Sequence, residues 1–208
     1  MSVAIVDYGV GNLFSLQSSF AAIGVPAVVT VGAGEIAAAE RVVLPGVGAF
    51  GDAAGKLRQS GLDAAVLDAA AAGKPLLGIC LGMQLLFDHS LEHGEHGEHA
   101  GLGLIPGEVR PIAEVIPAEY KIPHIGWNSL DLCGVNSPLF RYIHEKDHVY
   151  FVHSYYAAGC AAHTIATAEY GAPLTAAVQR DNIYGCQFHP EKSGAVGLNI
   201  LRAFCEVC

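Results

Sequence analysis

Basic residues are scarce in this chain: 11 lysines and arginines stand against 20 acids in 208 residues, a formal charge of -9. A surface that holds nucleic acid or an anionic membrane needs clustered Lys and Arg to displace counterions, so neither is expected as the main partner. Charge of either sign is sparse, at 15% of residues, while 52% are apolar, enough material to bury one substantial core. Long unbroken apolar runs are also missing. Windows of about 20 residues that are rich in apolar side chains are alanine-heavy and broken by charge, Gly or Pro, so no bilayer span is expected. The opening Met1-Ser2-Val3-Ala4-Ile5-Val6-Asp7 has no basic start and meets an acid after a short apolar run, unlike a secretory signal. A cytoplasmic location is the expectation, and the six cysteines (80, 133, 160, 186, 205, 208) read as reduced thiols rather than a disulfide framework. Internal repeats and linker-like stretches are lacking too, so residues 1–208 are expected to form a single domain.

What is present is an alternation. Short β-branched runs (Val3–Val6, Ala27–Val31, Arg41–Leu44, Pro75–Ile79) alternate with helical patterns over Asn12–Ile23, Leu62–Ala72 and Leu81–Phe87. Strands of nearly continuous apolar character separated by helices predict an open, mostly parallel α/β sheet with helices on both faces. After about residue 105 the rhythm shifts to strands joined by turns, at 107–115, 120–125, 148–152, 163–168, 174–179 and 183–188. Additional mixed or antiparallel strands are therefore expected in the C-terminal half, closed by an amphipathic helix over 195–205.

Two segments suggest metal chemistry. His89 to His99 carries four histidines and a repeated Gly-Glu-His, which could hold a divalent ion. Nothing in it fixes ligand geometry and its glycines add entropy, so a solvated surface loop is the preferred reading. The terminal Cys205-Glu206-Val207-Cys208 lacks both the second ligand pair of a zinc site and the strand-to-helix setting of a redox motif.

Gly46-Val47-Gly48-Ala49-Phe50-Gly51 spells G-x-G-x-x-G after a strand, but not on the first strand–helix turn, and the acids at 63 and 68 fall in a helical run. A dinucleotide site is not expected there. With Pro45 before it and Gly51-Asp52 behind, the segment reads as a loop whose backbone N–H groups can approach a ligand closely.

A sharper pattern is Gly78-Ile79-Cys80-Leu81-Gly82, between an apolar strand and a helix. Glycines two before and two after Cys80 permit the tight turn that lifts a nucleophile out of a sheet, and the Leu81 N–H would then face a developing oxyanion. The bland alternative is a small buried thiol. A partner exists in Gln187-Phe188-His189-Pro190-Glu191-Lys192: in an extended segment residues 189 and 191 point to one side, presenting a general base with the carboxylate that orients it. Among the other histidines, His153 stands apart because it ends a strand in Tyr150-Phe151-Val152-His153-Ser154.

A Cys elbow followed by a distant His-Pro-Glu resembles the class I (triad) glutamine amidotransferases. The segments Asp7 to Leu13, Leu44 to Phe50, Gly101 to Gly107, Pro123 to Asn128 and Gln187 to Ser193 are together similar to the glutaminase subunits of imidazole glycerol phosphate synthase, over nearly the whole chain. The resemblance implies that Cys80 attacks the side-chain amide of L-glutamine, that His189 serves as base and then acid, and that Glu191 orients His189. It implies an oxyanion hole from the N–H groups of Leu81 and Val47, and substrate binding by Gly46, Gly48, Gln84, Ser154 and Tyr155. It further implies a (β/α)-barrel cyclase partner that takes up the ammonia in histidine biosynthesis, contacts through Asn12 and Lys192, and neither cofactor nor metal. The competing readings are a class I glutaminase of another pathway, such as vitamin B6 synthesis, and a His/Cys metal-binding regulatory module. Pro123-His124-Ile125-Gly126-Trp127-Asn128 favours the histidine pathway over the first.

Overall fold

The computed structural model describes residues 2–92, 99–206 and 208. In chain order the first half runs β1 (Val3–Val6), α1 (Leu13–Ala22), β2 (Ala27–Thr30), α2 (Ala33–Ala38), β3 (Arg41–Leu44), α3 (Phe50–Gln59), α4 (Leu62–Ala71), β4 (Leu76–Ile79) and α5 (Leu81–Gln84). The second half runs β5 (His89–Ser90), β6 (His99–Ala100), β7 (Glu108–Pro111), β8 (His124–Ser129), β9 (Asp131–Leu132), β10 (His148–His153), β11 (Tyr155–Ala158), β12 (Thr164–Glu169), β13 (Pro173–Arg180), β14 (Ile183–Cys186) and α6 (Gly194–Glu206).

Eight strands form the main sheet in the order β2-β1-β3-β4-β14-β13-β12-β9. The first five of these are mutually parallel and the last three antiparallel. Alternation of side chains explains why the parallel strands read as unbroken apolar runs. Val3, Ile5, Val43, Leu77 and Ile79 face one layer, with Leu16 and Phe20 of α1 and Ile200, Leu201 and Phe204 of α6. Ala4, Val6, Val42, Leu44 and Leu76 face the other, with Ile36 of α2, Phe50 and Leu57 of α3 and Val66 of α4. Each fully buried Leu or Phe in these layers contributes roughly 1.5–3 kcal/mol relative to exposure. A two-stranded ladder (β10-β8) and a four-stranded sheet (β11-β7-β5-β6) stand beside the main sheet.

The mixed architecture agrees with the pattern in the sequence, and the differences have local causes. Helices α2 and α3 were not expected. Helix α3 begins at Phe50, inside the segment read as a loop, because the Glu92 carboxylate accepts the Phe50 N–H at 2.5 Å and supplies from 42 residues away the cap that Ala49 cannot. The helix expected over 81–87 stops at Gln84, where bonding tightens to i→i+3 through Leu86 N–H to the Met83 carbonyl and Phe87 N–H to the Gln84 carbonyl. The strand expected over 120–125 lies at 124–129. The strand carrying His153 belongs to the two-stranded ladder, not to the main sheet. Of the His-rich segment, residues 93–98 lie outside the described residues; His89 pairs in β5 with Glu108 at 3.3 Å, and no cluster of three or more His, Cys, Asp or Glu fit for a metal is found among the described residues. None of the described helices is long and apolar enough to cross a membrane.

Close packing at the end of β4 is severe. A Cβ added at Gly82 would lie 1.8 Å from the Leu44 carbonyl oxygen, and one at Gly78 would lie 2.7 Å from the Gly82 carbonyl oxygen. Gly55, mid-α3, has open space. Gly82→Ala is therefore expected to destabilise by about 3 kcal/mol, whereas Gly55→Ala should stabilise by roughly 0.5–1 kcal/mol. Urea denaturation of both variants checks the contrast, and equal effects would contradict this account of the turn.

Candidate active site

Because β1, β3, β4 and β14 run parallel, their C-terminal ends share one edge, and the loops leaving them converge. β3 releases Pro45 to Gly48, β4 releases Cys80, and β14 releases Gln187 to Glu191. Cys80 and β14 are tied directly, with the Cys80 N–H donating to the Cys186 carbonyl at 2.7 Å. The fourth wall, Val152 to Tyr155, comes from the end of β10 and the start of β11. Together these elements enclose a cavity of about 350 Å³ lined by Val47, Gly48, Cys80, Leu81, Gln84, Ser154, Tyr155 and His189, expected from the sequence as site residues, and by Lys192, expected as an interface residue. Glu92, Pro123, Val152 and His153 line it as well.

Cys80 sits at φ +55°, ψ -112°, a region an L-residue with a Cβ rarely adopts. Such strain costs about 1–3 kcal/mol and persists only where its surroundings enforce it. Here the register of β4 between β3 and β14 and the two flanking glycines do so. The thiol is buried, 4.0 Å from the Val152 carbonyl oxygen, and receives the Gln187 Nε2–H at 3.8 Å.

His189 and Glu191 are buried side by side, Nδ1 to Oε1 at 2.8 Å. Their juxtaposition has a different origin from the expected extended strand. His189 is extended, but Pro190–Lys192 form a single 3-10 turn. Proline's fixed φ suits the first position of a helical turn, and that turn swings the Glu191 carboxylate back onto the ring. The far nitrogen, Nε2, is buried and without a hydrogen bond among the described residues. Burial alone would lower the pKa of His189, but the Cys80 sulfur and then the Glu191 carboxylate outweigh it, and the imidazole is pushed up to about 9.

The amide of Gln84 donates from Nε2 to the Tyr155 carbonyl at 3.1 Å and to Gln187 Oε1 at 3.0 Å. Both its N–H groups are thereby spent, and its oxygen is what remains to accept from a ligand. One expectation needs correction. The Leu81 N–H does not face open space but donates to the Gly46 carbonyl at 3.3 Å. Gly46 can approach so closely because a Cβ there would lie 2.9 Å from the Gly82 nitrogen. Asn12 lies outside the cavity, at the start of α1, where its carbonyl accepts the Leu16 N–H. Gly11 nevertheless packs near Pro45, bringing the Asp7 to Asn12 loop against the Gly46 turn.

Glu92 and Gln187 were given no role from the sequence. Glu92 lay in a segment read as a solvated loop, and its partner on α3 is too distant in sequence to signal it. Gln187 did carry a signal, as an amide directly after the fully buried Ile183–Cys186 strand.

Below the ordinary pKa of 6.5 a partnered His189 contributes its full stabilisation, which fades as pH rises through about 9. NMR titration of the ¹⁵N-labelled histidines should thus place His189 near 9 and show Glu191→Gln moving it downward. A wild-type midpoint near 6.5 would contradict the coupling described.

Comparison with known proteins adds identity to this geometry. The family model for Glutamine amidotransferase class-I matches residues 4–207. The imidazole glycerol phosphate synthase subunit HisH of Rhodopirellula baltica is 46% identical over 203 residues, spanning 97% of this chain and 96% of that protein. HisH of Moorella thermoacetica is 48% identical over 206 residues, spanning 99% and 94%. Among solved structures, a glutamine amidotransferase superposes with TM-score 0.74 at 17% identity, over 98% of this chain and 97% of that one. PurLQS from Thermotoga maritima gives 0.74 at 18%, over 98% and 97%. The chain belongs to the class I glutamine amidotransferase family, within its group of imidazole glycerol phosphate synthase HisH subunits.

Proposed function

We propose that this chain, residues 1–208 acting as one domain, is the glutaminase subunit of imidazole glycerol phosphate synthase: it hydrolyses L-glutamine and delivers ammonia to a (β/α)-barrel cyclase in histidine biosynthesis. The observation that carries the reading is the strained Cys80 elbow sharing one cavity with a buried His189–Glu191 pair. Cys80 attacks the side-chain amide carbon. His189, held by Glu191, takes the thiol proton and returns it to the departing ammonia. Water then attacks the γ-glutamyl thioester with His189 again as base, releasing glutamate and the free thiol. The Gln84 oxygen and the Glu92 carboxylate line the cavity as acceptors for the α-ammonium of glutamine, with Ser154 and Tyr155 as the neighbouring wall.

The oxyanion hole needs the Leu81 N–H, which the Gly46 carbonyl occupies. Turnover therefore requires the Gly46–Val47 peptide to rotate, freeing Leu81 and bringing the Val47 N–H into the hole beside it. Gly48, at φ +98°, gives the adjoining backbone the freedom to follow. A partner that contacts this loop is placed to drive the rotation. The cavity mouth adjoins a surface suited to such a partner: Ile125 and Trp127 are 57% and 56% exposed, Trp127 packs edge-on against Tyr150, and Lys192 lies over the Tyr150 ring. Asn12 and Lys192 are interface residues in this reading.

Glutamate release should be low for the chain alone and rise by about 100-fold or more with the cyclase subunit and its nucleotide substrate, since one unformed oxyanion contact is worth roughly 10²–10³ in rate. Cys80→Ser should abolish release in both conditions while leaving complex formation intact. Retained turnover in Cys80→Ser would overturn the mechanism, and equal rates with and without the partner would overturn the coupling.

A further inference from the structure

His124 and His153 stand directly opposite on the β8–β10 ladder, and both are buried. Their rings meet, His124 Nδ1 to His153 Nε2 at 3.0 Å. Beyond them, His153 Nδ1 lies 2.8 Å from the Tyr155 carbonyl oxygen, and Asn128 Nδ2 lies 3.3 Å from His124 Nε2. The His124 ring is clasped between Phe151 and Tyr170, with centroids at 4.8 and 4.1 Å and planes within 21° and 25° of parallel, so its orientation is fixed.

Hydrogen-bond chemistry then dictates where every proton sits. A carbonyl oxygen only accepts, so His153 carries its proton on Nδ1 and its Nε2 accepts. His124 must donate from Nδ1, which leaves its own Nε2 to accept from Asn128. The Asn128 amide also donates to the Glu169 carbonyl at 2.9 Å, which holds it in that sense. Each ring carries one proton, and a second on either would set two donors face to face. Burial pushes both rings down to about 4; for His153 the bond to Tyr155 opposes that, while His124 and His189 add to it.

The chain of bonds enters the catalytic cavity. The Tyr155 carbonyl that receives His153 also receives Gln84, which donates onward to Gln187, and Gln187 donates to the Cys80 sulfur. The carbonyl that sets the Gln84 amide is thus itself set from behind by the histidine pair.

We propose that His124 is a positioning residue for glutamine binding: through His153 it holds the Tyr155 carbonyl, and with it the Gln84 amide, in the orientation that receives the amino-acid end of the substrate. The proposal rests on the glutaminase reading of the cavity. These groups meet the unreactive end of glutamine equally in the ground and transition states, so weakening them raises KM more than it lowers kcat.

His124→Phe retains the ring stack and deletes the donor, whereas His124→Gln offers an amide N–H to His153 in its place. Assayed in complex with the cyclase subunit, His124→Phe should raise KM for glutamine about five- to tenfold, the scale of one lost hydrogen bond, with kcat within about twofold. His124→Gln should recover most of the loss. A second readout needs no turnover: ¹⁵N NMR of the histidine-labelled complex should show both rings neutral with the proton on Nδ1, and the His153 Nε2 resonance shifting to that of an acceptor without a hydrogen bond in His124→Phe. Unchanged KM in His124→Phe, no recovery in His124→Gln, or a wild-type His153 protonated on Nε2 would each overturn the proposal. The last of these decides even where His124→Phe does not fold. A wild-type complex that turns over no glutamine would instead overturn the reading of the site, and the proposal with it.

Discussion

One backbone conformation organises this molecule. Cys80 is held at positive φ where β4 turns into α5, and nearly every neighbouring feature is a condition for that turn. Gly82 must lack a side chain because the Leu44 carbonyl of β3 occupies the space, and Gly78 because the first turn of α5 folds back over it. The Cys80 N–H is satisfied by β14, the strand that leads to His189. Parallel pairing of β3, β4 and β14 therefore strains the nucleophile and delivers its base in the same step. The continuous apolar runs that drive the sheet together supply the free energy that sustains the strain.

Around that turn, polar groups are buried only in pairs or chains. His189 is drawn toward the charged form by the sulfur and the carboxylate that flank it, so that it holds a proton taken from Cys80, whereas His153, on the facing wall, is neutral because its hydrogen-bond partners leave no place for a second proton. Two imidazoles lining one cavity are thus pushed in opposite directions by their surroundings. The environment, not the residue type, assigns which acts as base and which as scaffold.

Legibility in the sequence followed the range of the interaction. The elbow was readable because its requirements lie within five residues, and the parallel core because two-sided burial leaves a signature in each strand. The His189–Glu191 pairing was readable as a contact but not as a geometry, since the 3-10 turn at Pro190 achieves what an extended strand was expected to do. The Glu92 cap on α3 was not readable, because donor and acceptor are 42 residues apart. Nor could spacing show that the Gly46 carbonyl occupies the Leu81 N–H, since the orientation of a peptide plane between glycines leaves no mark in residue order. The opposition of His124 and His153 depends on the register of two strands separated by 18 residues that include β9 of the main sheet, and register is a tertiary fact.

The central claim is that the fold singles out Cys80, among six cysteines, as a nucleophile shaped for glutamine. It is tested most directly by treating the complex with a glutamine-shaped diazoketone and mapping the covalent adducts by peptide mass spectrometry. The account predicts a single adduct on Cys80, suppressed by glutamine, with the exposed Cys133 untouched. Labelling of Cys133 as readily as Cys80, or labelling of Cys80 that glutamine does not suppress, would contradict it.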